Sequence, residues 1–483
     1  MISFISAIVL LIVGYFIYGK ITERIFKIEP QRPTPVVAHP DGVDYVPLKP
    51  WKIYMIQFLN IAGLGPIFGA IMGAQFGAAS FLWIVFGCIF GGAVHDFISG
   101  MISLRNNGAS LPEIHGRYLG LTMKQIMRGL TIILMILVGA VFVSGPAVLL
   151  ANLTPKVFGV TFWMVIIFIY YLIATLFPID KIIGRFYPLF GFCLLFMAVA
   201  ILAVMLYRQV DLPEIWEGLQ NKSLHPENNP IFPMMFVSIA CGAVSGFHAT
   251  QSPLMARCMT NERQGRPIFF GAMITEGIIA LIWAAAATYF FFENSFGKEV
   301  FATGEANGSV VVNWIARDWL GTFGAVLAIL GVVAAPITSG DTAFRSARLI
   351  VADILHYDQK PIINRLIVVI PIFIAGVAVL IYSLRDANGF NILWRYFSWI
   401  NQILAAITLW ACTIYLCKAK RFYYITLVPA LFMSMVSLTF ILTAQGLGFG
   451  LEVHLSSFIA GLITLGLLVL FYMRKKTFSQ TIG

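Results

Sequence analysis

The chain has 483 residues, of which 59% are hydrophobic and only 11% are charged, and its mean hydropathy is +0.87. Soluble globular proteins carry about 25% charged residues, so this composition excludes a soluble enzyme, a disordered protein and a secreted disulfide scaffold. Most side chains must face lipid or one another. We therefore expect an all-α polytopic membrane protein built as one helical bundle.

Apolar stretches long enough to cross a bilayer recur along the whole chain. A hydrocarbon core of about 30 Å needs roughly 20 apolar residues per helix. The sequence thus predicts about thirteen transmembrane helices, at residues 3–19, 53–78, 80–104, 124–149, 159–177, 186–207, 233–257, 267–292, 321–350, 362–383, 393–418, 421–443 and 455–473. The first lacks a basic start and an Ala-x-Ala cleavage site, so we interpret it as a retained anchor.

The distribution of basic residues predicts the orientation of these helices. When alternate loops are assigned to opposite sides, 25 of the 32 Lys and Arg fall on the side that begins with loop 20–52, and 7 fall on the other. Because cytoplasmic loops are enriched in Lys and Arg, the N-terminus is predicted outside and the C-terminus inside. The net charge of +10 then reflects membrane topology, and we expect no nucleic-acid partner.

Helix order and loop length predict four regions. They are an anchor helix with a basic, proline-rich cytoplasmic connector (1–52), a first five-helix unit (53–207), a second five-helix unit with external loops at 208–231 and 293–320 (208–418), and two accessory helices with a basic tail (419–483).

The second predicted helix contains residues that interrupt helical structure. Residues 60–70 read NIAGLGPIFGA, and Gly63, Gly65 and Pro66 each remove helix propensity or a backbone hydrogen bond. Freed backbone groups need partners in hydrocarbon, so such a break persists only beside a cavity or packed protein. We therefore expect Asn60, Gly63 and Gly65 to contact a substrate.

The seventh predicted helix repeats this pattern at residues 238–253, which read SIACGAVSGFHATQSP. Its candidate substrate ligands are Ser245, Gly246, His248 and Gln251. The two interruptions lie five helices apart, and this odd spacing predicts a five-plus-five inverted repeat with a site near the membrane midplane. The alternative is that these glycines only permit close packing of helices.

Two further helices carry polar groups. The ninth has Thr338 and Ser339, whose hydroxyls suit a small cation or a substrate oxygen. The eleventh has Asn401 and Gln402, whose amides either bind substrate or join neighbouring helices. The sequence leaves both alternatives open.

Three carboxylates lie inside predicted helices, where each costs about 2.5–3.5 kcal/mol at the bilayer centre. They are Asp96, Glu276 and Asp341, and we regard them as candidates for proton or ion coupling. Structural roles are the alternatives: a hydrogen bond between helices for Glu276, an ion pair or cap for Asp96. For Asp341 the alternative is an ion pair with Arg345, four residues later on the same helix. His248 either packs in the core, binds a substrate carboxylate or shuttles a proton.

The six cysteines are scattered and form no CxxC pair. We interpret them as small buried hydrophobic residues. The sequence therefore predicts no metal site and no cofactor beyond a coupling ion, with H⁺ preferred and Na⁺ as the alternative.

These polar and interrupted segments resemble the CstA carbon starvation family of bacterial transporters. The matching stretches are NIAGLGP at 60–66, GAVHDF at 92–97 and the run to Arg105, SIACGAVSGFH at 238–248, Glu276, residues 341–348, and Asn401 with Gln402. The resemblance extends over most of the chain from about residue 26. Longer members of the family carry an extra stretch where residues 177–185 here lead quickly into one helix, so the substrate is not transferable from them.

The resemblance implies secondary uptake of pyruvate or small peptides across the bacterial cytoplasmic (inner) membrane. It also implies the LeuT-like fold of the amino acid–polyamine–organocation superfamily, here with one extra helix before the repeat and two after. We thus expect a proton- or ion-coupled symporter for small carboxylate-bearing nutrients, working by alternating access.

Other functions fit the sequence less well. A channel is expected to carry a repeated filter motif or rings of charge, and a membrane enzyme a catalytic cluster, to which only His95 and Asp96 come near. A nutrient sensor that kept the transporter fold without net flux is the main alternative. The choice between pyruvate and peptide, between proton and sodium, and the oligomeric state are left open by the sequence.

Overall fold

The computed structural model describes residues 1–176, 183–304, 306–359, 361–385, 389–446 and 448–480, and within them the regular structure is helical. Helices follow from the composition, because a chain in lipid must satisfy its backbone hydrogen bonds within each segment. Most of the short connection at 177–185, by which the sequence differs from longer family members, lies outside the described residues.

The α-helices are numbered in chain order through the described part of the chain. They are α1 Ile2–Phe26, α2 Pro35–Ala38, α3 Pro50–Ile61, α4 Ala70–Gly73, α5 Ala78–Phe86, α6 Ala93–Arg105, α7 Leu111–Leu119, α8 Leu121–Leu153, α9 Val160–Leu176, α10 Ile183–Tyr207, α11 Phe236–Ser238, α12 Gly246–Ala256, α13 Ala272–Phe292, α14 Ser295–Ala302, α15 Gly308–Leu355, α16 Ile362–Arg385, α17 Gly389–Lys418, α18 Tyr424–Thr443 and α19 Val453–Gln480.

Short turns of other helical types extend several of these helices. The π-helical turns are Gly65–Gly69, Gly87–Gly92, Ile231–Met235 and Arg266–Gly271, and the 3-10 turns are Ala74–Phe76, Ile215–Glu217 and Glu262–Gln264. A π-helical turn widens the helix locally and is frequent at functional sites.

Among the described residues, ten helical segments are long and apolar enough to cross a bilayer, and the bent pair Pro50–Ile61 and Gly65–Phe76 makes an eleventh. The other two predicted spans correspond to the 17-residue helix α9 and to the interrupted segment 231–256. The all-helical membrane fold is thereby confirmed. A total of thirteen crossings and the sides on which the termini lie stay predictions.

Eight of the described helices pack closely against one another in the bundle. Helix α15 packs along α8 and α10, α12 packs against α6 and α17, and α3 packs against α13. The outer helices α1, α16 and α19 instead expose apolar side chains such as Ile17 (59% exposed), Ile374 (63%) and Phe458 (65%). In a membrane protein such exposed apolar faces contact lipid, so the polar candidates on the inner helices are separated from lipid.

Two basic residues that the charge pattern assigns to the cytoplasmic surface are buried. Arg345 and Arg348 lie at the end of the predicted helix 321–350 and contribute to the 25 basic residues counted on the cytoplasmic side. In the structure α15 continues to Leu355, and both arginine side chains are completely buried. The sequence could not show this because the two arginines follow the apolar stretch, where a loop and a buried helix end have the same composition.

Candidate functional site

The first predicted interruption is confirmed. Helix α3 ends at Ile61, residues 62–64 leave the helical path, and a π-helical turn starts at Gly65, so that the axis bends by 53°. Pro66 lies in the first turn of the new segment, where its missing N–H has no intrahelical partner to lose. Gly63 is required by crowding, since a Cβ there would lie 2.7 Å from the ring of Phe142.

The second interruption is also confirmed, but it is narrower than predicted. Helix α11 ends at Ser238 and α12 begins at Gly246. Between them Gly242 has a φ of +90°, a conformation that glycine adopts without steric cost. His248 and Gln251 were expected in the unwound part and instead lie on the first turns of α12.

The two interruptions contact each other. A Cβ on Gly65 would lie 2.2 Å from the Cβ of Cys241, and one on Gly69 would lie 2.8 Å from the carbonyl oxygen of Ser238. Glycine therefore allows the two broken segments to approach at backbone distance. The sequence offered two interpretations of these glycines, helix interruption or close helix packing. In the structure they serve both purposes.

A row of buried titratable side chains lies beside the second interruption. Nδ1 of His95 is 2.8 Å from one carboxylate oxygen of Asp96, and Nδ1 of His248 is 2.9 Å from the other. Nε2 of His248 lies 3.3 Å from the carboxylate of Glu276. All four side chains are completely buried, and they join α6, α12 and α13. We define His95, Asp96, His248 and Glu276 as the buried relay.

The buried relay contains two of the predicted coupling residues, Glu276 and Asp96. Glu276 has no basic residue within one turn of its own helix, and its partner His248 comes from another helix. Asp96 forms the ion-pair geometry that was one of its two alternatives, with a histidine on each side. Both imidazole nitrogens of His248 face carboxylates: Nδ1 is hydrogen-bonded to Asp96, whereas Nε2 is within ion-pair distance of Glu276 without a hydrogen bond.

Asn401 and Gln402 hold the start of α12. The Oδ1 atom of Asn401 accepts hydrogen bonds from the hydroxyl of Ser245 (3.2 Å) and from the backbone N–H of Phe247 (2.7 Å). The amide of Gln402 donates to the carbonyl of Val244 at 3.2 Å. This geometry supports the structural alternative for Asn401, which caps the helix end where a substrate carboxylate was expected.

Two buried amides on α3 lack partners. Among the described residues, neither amide atom of Gln57 or of Asn60 has a hydrogen-bond partner, and both side chains are completely buried. A buried polar group without a partner costs about 1–3 kcal/mol, so such groups in a native structure indicate a missing ligand or water. Asn60 was a candidate from the sequence, whereas Gln57 was missed. Its spacing of three residues before Asn60, on the same helix face, was the available signal.

Three candidates lie on α15, namely Thr338, Ser339 and Asp341. The Ser339 hydroxyl is 2.8 Å from the carbonyl oxygen of Leu59 and 3.0 Å from that of Ala335, and Thr338 donates to the latter carbonyl at 2.7 Å. Asp341 accepts a hydrogen bond from the phenol of Tyr187, a partner that the sequence did not suggest. These residues therefore connect α15 to α3 and α10, and only Ser339 borders the first interruption.

Gln251 points away from the buried relay. Its side-chain N–H donates to the hydroxyl of Thr250 at 2.8 Å and lies 3.9 Å from the sulfur of Met135 on α8. Its carbonyl oxygen is buried and has no hydrogen-bond partner among the described residues. The predicted substrate ligands therefore lie in three places: beside the relay, on α3 and, for Gln251, against α8.

A cavity of about 780 Å³ opens on the face predicted to be external. It is lined by Met72 and Gln75 after the first interruption, by Ser238 at the edge of the second, and by Trp394 and Arg395 of α17. We call it the vestibule. Below it, buried aromatic rings follow one another: Trp394 packs on Phe68 and Phe397, Phe397 on Phe142, and Phe142 on Phe247. This aromatic layer lies between the vestibule and the relay.

Three potential metal ligands also meet at the second interruption. Ligand atoms of Cys241, His248 and Glu276 all lie within 4.8 Å of one another. The sequence predicted Cys241 to be a small buried residue and its side chain is buried, but spacing along the chain could not reveal this cluster, because Glu276 comes from a different helix.

Comparison with known proteins identifies the family. A family model described as carbon starvation protein CstA matches residues 1–162, 152–314 and 289–440. The chain belongs to the CstA family. The resemblance of the sequence to this family is thereby confirmed.

Relatives within the CstA family carry transporter names. The chain is 46% identical over 340 residues to an uncharacterized membrane protein of Haemophilus influenzae, covering 60% of this chain and 91% of that protein. It is 26% identical to the peptide transporter CstA of Bacillus subtilis (84% of this chain, 83% of that protein). It is also 27% identical to the pyruvate/proton symporter BtsT of Escherichia coli (59% and 48%). This CstA-family chain is therefore a multi-pass transporter of the bacterial inner membrane and not an enzyme.

Solved structures with the same fold are more distant in sequence. A manganese transporter of Eremococcus coleocola aligns with a TM-score of 0.53 at 13% identity, covering 91% of this chain and 99% of that one. MhsT in complex with L-phenylalanine aligns with a TM-score of 0.55 at 15% identity, covering 86% and 97%. These likenesses establish the LeuT-like fold and carry no information about the substrate.

Proposed function

We propose that this CstA-family protein imports small carboxylate-bearing nutrients, peptides or pyruvate, by proton-coupled symport with alternating access. The names of its relatives support this substrate class, since they include peptide transporters and a pyruvate/proton symporter. The observation that carries the proposal is the buried relay beside the second interruption.

The charge of the relay supports proton coupling. If Asp96 and Glu276 are ionised, His248 is protonated and His95 is neutral, the group carries a net charge of −1 in a completely buried position. Burying an unbalanced charge is strongly unfavourable. One added proton neutralises the group, so binding of a proton favours a state in which the relay is closed off from water. A carrier that moves only when the relay is neutral couples proton entry to the movement of substrate.

The two interruptions provide the substrate position. Unpaired amides of Gln57 and Asn60 on α3 supply hydrogen-bond donors and acceptors for a polar solute. The start of α12 carries the partial positive charge of a helix N-terminus, which attracts a carboxylate. Because Asn401 already accepts the N–H of Phe247, the backbone N–H groups of Gly246 and His248 are the remaining donors at this end.

The vestibule and the aromatic layer support alternating access. The vestibule reaches Ser238 at the edge of the second interruption, while the buried rings of Phe68, Phe142 and Phe397 close the path toward His248. Movement of α17, which carries Trp394 and Phe397, relative to α3 and α8 would open this path. The described conformation is thus one in which the relay is closed from the vestibule.

Sodium coupling is the alternative, and the oxygens around Ser339 are where it would act. The hydroxyl of Ser339 is 2.8 Å from the carbonyl oxygen of Leu59 and 3.0 Å from that of Ala335, and Thr338 donates to the carbonyl of Ala335 at 2.7 Å. A hydroxyl rotates to donate to a carbonyl when no cation is bound, so these contacts are compatible with either ion. Proton coupling is therefore proposed on the buried relay alone.

The proposal is tested by uptake into proteoliposomes that contain the full chain. Labelled pyruvate and a labelled dipeptide are offered under an imposed inward pH gradient, an inward sodium gradient or neither, and each is used to compete with the other. We expect saturable accumulation driven by the pH gradient alone. Binding without accumulation would instead indicate a transporter-fold sensor, and accumulation that requires sodium would contradict proton coupling.

A further inference from the structure

A second charged cluster lies on the face that the basic residues assign to the cytoplasm. Asp44, in the connector that follows α1, is only 5% exposed and enters a group of buried arginines. Its Oδ1 atom is 3.6 Å from Nη2 of Arg348 and 3.8 Å from Nη1 of Arg345. Arg257 at the end of α12 and Arg365 of α16 also act on this carboxylate. We call these four arginines the arginine cluster.

Among the described residues, four buried guanidinium groups act on the single carboxylate of Asp44. Helix α15 contributes one further buried carboxylate nearby, Asp341, which is bonded to Tyr187. Burial by itself raises the pKa of Asp44, but the four positive charges outweigh this effect and hold the pKa below its ordinary value.

The contacts between Asp44 and the cluster are loose. Distances of 3.6 and 3.8 Å are too long for hydrogen bonds. Among the described residues, Nε, Nη1 and Nη2 of Arg348 have no hydrogen-bond partner, although the side chain is completely buried. Arginine presents paired N–H donors that match a carboxylate in bidentate geometry, and Asp44 does not use this geometry. The guanidinium of Arg348 is thus available to a carboxylate that approaches more closely.

The connector holds Asp44 in place through contacts of the residues around it. The side chain of Asp41 caps the turn by accepting the backbone N–H groups of Val43, Asp44 and Tyr45. The ring of Tyr45 lies 5.2 Å from the guanidinium of Arg257, and the N–H of Leu48 donates to the carbonyl of Cys258 at 3.3 Å. These contacts, together with packing of Val46 and Leu48 against the core, fix the segment on the bundle.

The arginine cluster lies on two helices that also border the interruptions. Helix α12 runs from Gly246, beside the relay, to Ala256, next to Arg257. On α15, the hydroxyl of Ser339 contacts the carbonyl of Leu59 just before the first interruption, and Arg345 and Arg348 follow within about three turns. The two helices are joined between these points, where Ser346 donates to the carbonyl of Thr250 at 3.2 Å. Separation of α12 and α15 at this contact would connect the interruptions to the arginine cluster.

We propose that the arginine cluster is a second carboxylate-binding site, in which Asp44 occupies the position that a substrate carboxylate takes on its way to the cytoplasm. The ligand class is a monocarboxylate or the C-terminal carboxylate of a peptide. Asp44 is an internal competitor that closes the site when no substrate is passing. The identity of the ligand as substrate rests on the proposed function, whereas the existence of a carboxylate site does not.

Chemical rescue tests the site without transport. The purified full-length variant Asp44→Gly in detergent should melt below the wild type, because the buried arginines lose their counter-charge. Sodium acetate should restore its melting temperature with a saturable dependence, as expected for a ligand that binds the folded state. Acetamide, the neutral analogue, and sodium chloride at equal ionic strength should not. An acetate effect no larger than that of chloride, or equal in wild type and variant, would overturn the proposal.

Two further variants separate a specific site from general charge effects. The double variant Asp44→Gly with Arg348→Gln should lose most of the acetate response. Asp358→Asn removes an exposed carboxylate from the same face and should respond to acetate as the wild type does. Should Asp44→Gly not fold, Asp44→Asn keeps the shape of the side chain and permits the same titration.

A transport measurement then tests the role in release. In oriented proteoliposomes, Asp44→Asn should lower the apparent KM for pyruvate on the cytoplasmic side several-fold and leave the external KM unchanged, because only the internal competitor is removed. An unchanged cytoplasmic KM would refute the release role. Failure of the wild type to transport would refute the proposed function, while the acetate titration would still decide on the carboxylate site.

Discussion

Nε2 of His248 lies 3.3 Å from a carboxylate oxygen of Glu276, and both side chains are completely buried. The two residues come from different helices, and the other nitrogen of His248 faces Asp96. Because the second interruption lies directly before the helix that carries His248, a change in the protonation of this pair acts where two broken segments meet. Four predictions for the transport core and one for the arginine cluster follow from such contacts.

Glu276→Gln should abolish uptake driven by a pH gradient and leave counterflow exchange at least partly intact. The amide keeps the size of the side chain but cannot take up a proton. Uptake of labelled pyruvate or dipeptide into proteoliposomes, with and without a gradient, measures both activities. Glu293→Gln, at the exposed end of the same helix, is the matched control and should behave as the wild type. Equal loss of both activities in Glu276→Gln would assign Glu276 to the fold instead.

His248→Gln should lower gradient-driven uptake by about tenfold or more, equivalent to at least about 1.4 kcal/mol. Glutamine offers one donor and one acceptor, so it cannot pass a proton between Asp96 and Glu276. The dependence of uptake on external pH should flatten in the same variant. His225→Gln, whose side chain is exposed in the vestibule region, serves as the control. Unchanged driven uptake in His248→Gln would exclude the relay as the proton path.

Gly65→Ala should destabilise the protein and abolish uptake, because the added Cβ would lie 2.2 Å from the Cβ of Cys241. Overpacking of this kind costs about 1–3 kcal/mol or more. The second change Cys241→Gly removes the opposing atoms and should restore part of the melting temperature. Gly129→Ala, where nothing lies within 4 Å, should be neutral or stabilising. A well-folded, active Gly65→Ala variant would show that the interruptions do not touch.

The variants Asn60→Ala and Asn401→Ala should have different effects, the first on substrate binding and the second on stability. The amide of Asn60 has no hydrogen-bond partner among the described residues, so its loss should raise KM about tenfold with little change in melting temperature. Asn401 accepts two hydrogen bonds at the start of α12, and its loss leaves buried donors unpaired at a cost of about 1–3 kcal/mol. Thermal melting together with uptake kinetics distinguishes the two. The opposite pattern would exchange their assigned roles.

The contribution of Asp44 to the stability of the folded protein should depend on pH only in acidic solution. Burial alone would raise the pKa of this carboxyl. The surrounding arginines outweigh burial and lower the pKa in the folded protein. The stability that it contributes is therefore complete above the unfolded pKa of about 4 and is lost as pH falls through the folded value. The difference in melting temperature between wild type and Asp44→Asn should be constant from pH 7 to about pH 5 and shrink in stronger acid. A difference that grows on acidification would contradict this assignment.

The buried relay illustrates how far the sequence could be used to predict the site. Asp96, His248 and Glu276 were each identifiable, because an ionisable residue within an apolar stretch is costly and therefore conspicuous. Their mutual contacts were not, since the three residues are separated by 152 and 28 positions along the chain. Gln57 and Tyr187 were missed because an amide or a phenol in an apolar helix has no such distinctive cost.

The assignments for α12 and α15 show the same limit at the level of the backbone. Glycines and prolines indicated an interruption within 238–253, yet only the packing of Asn401 against Ser245 and Phe247 determines where α12 begins. Likewise, Arg345 and Arg348 appeared as part of a basic loop until the structure showed them buried around Asp44.

The sequence by itself determined that this chain is a helical membrane transporter with two interrupted segments, because hydropathy, charge asymmetry and helix-breaking residues act locally along the chain. Only the tertiary structure decided which intramembrane groups form one relay, which amides remain unpaired and which carboxylate enters the arginine cluster. Those relationships depend on distances of a few ångströms between segments that are far apart in sequence, and such distances are set by the packing of the whole bundle.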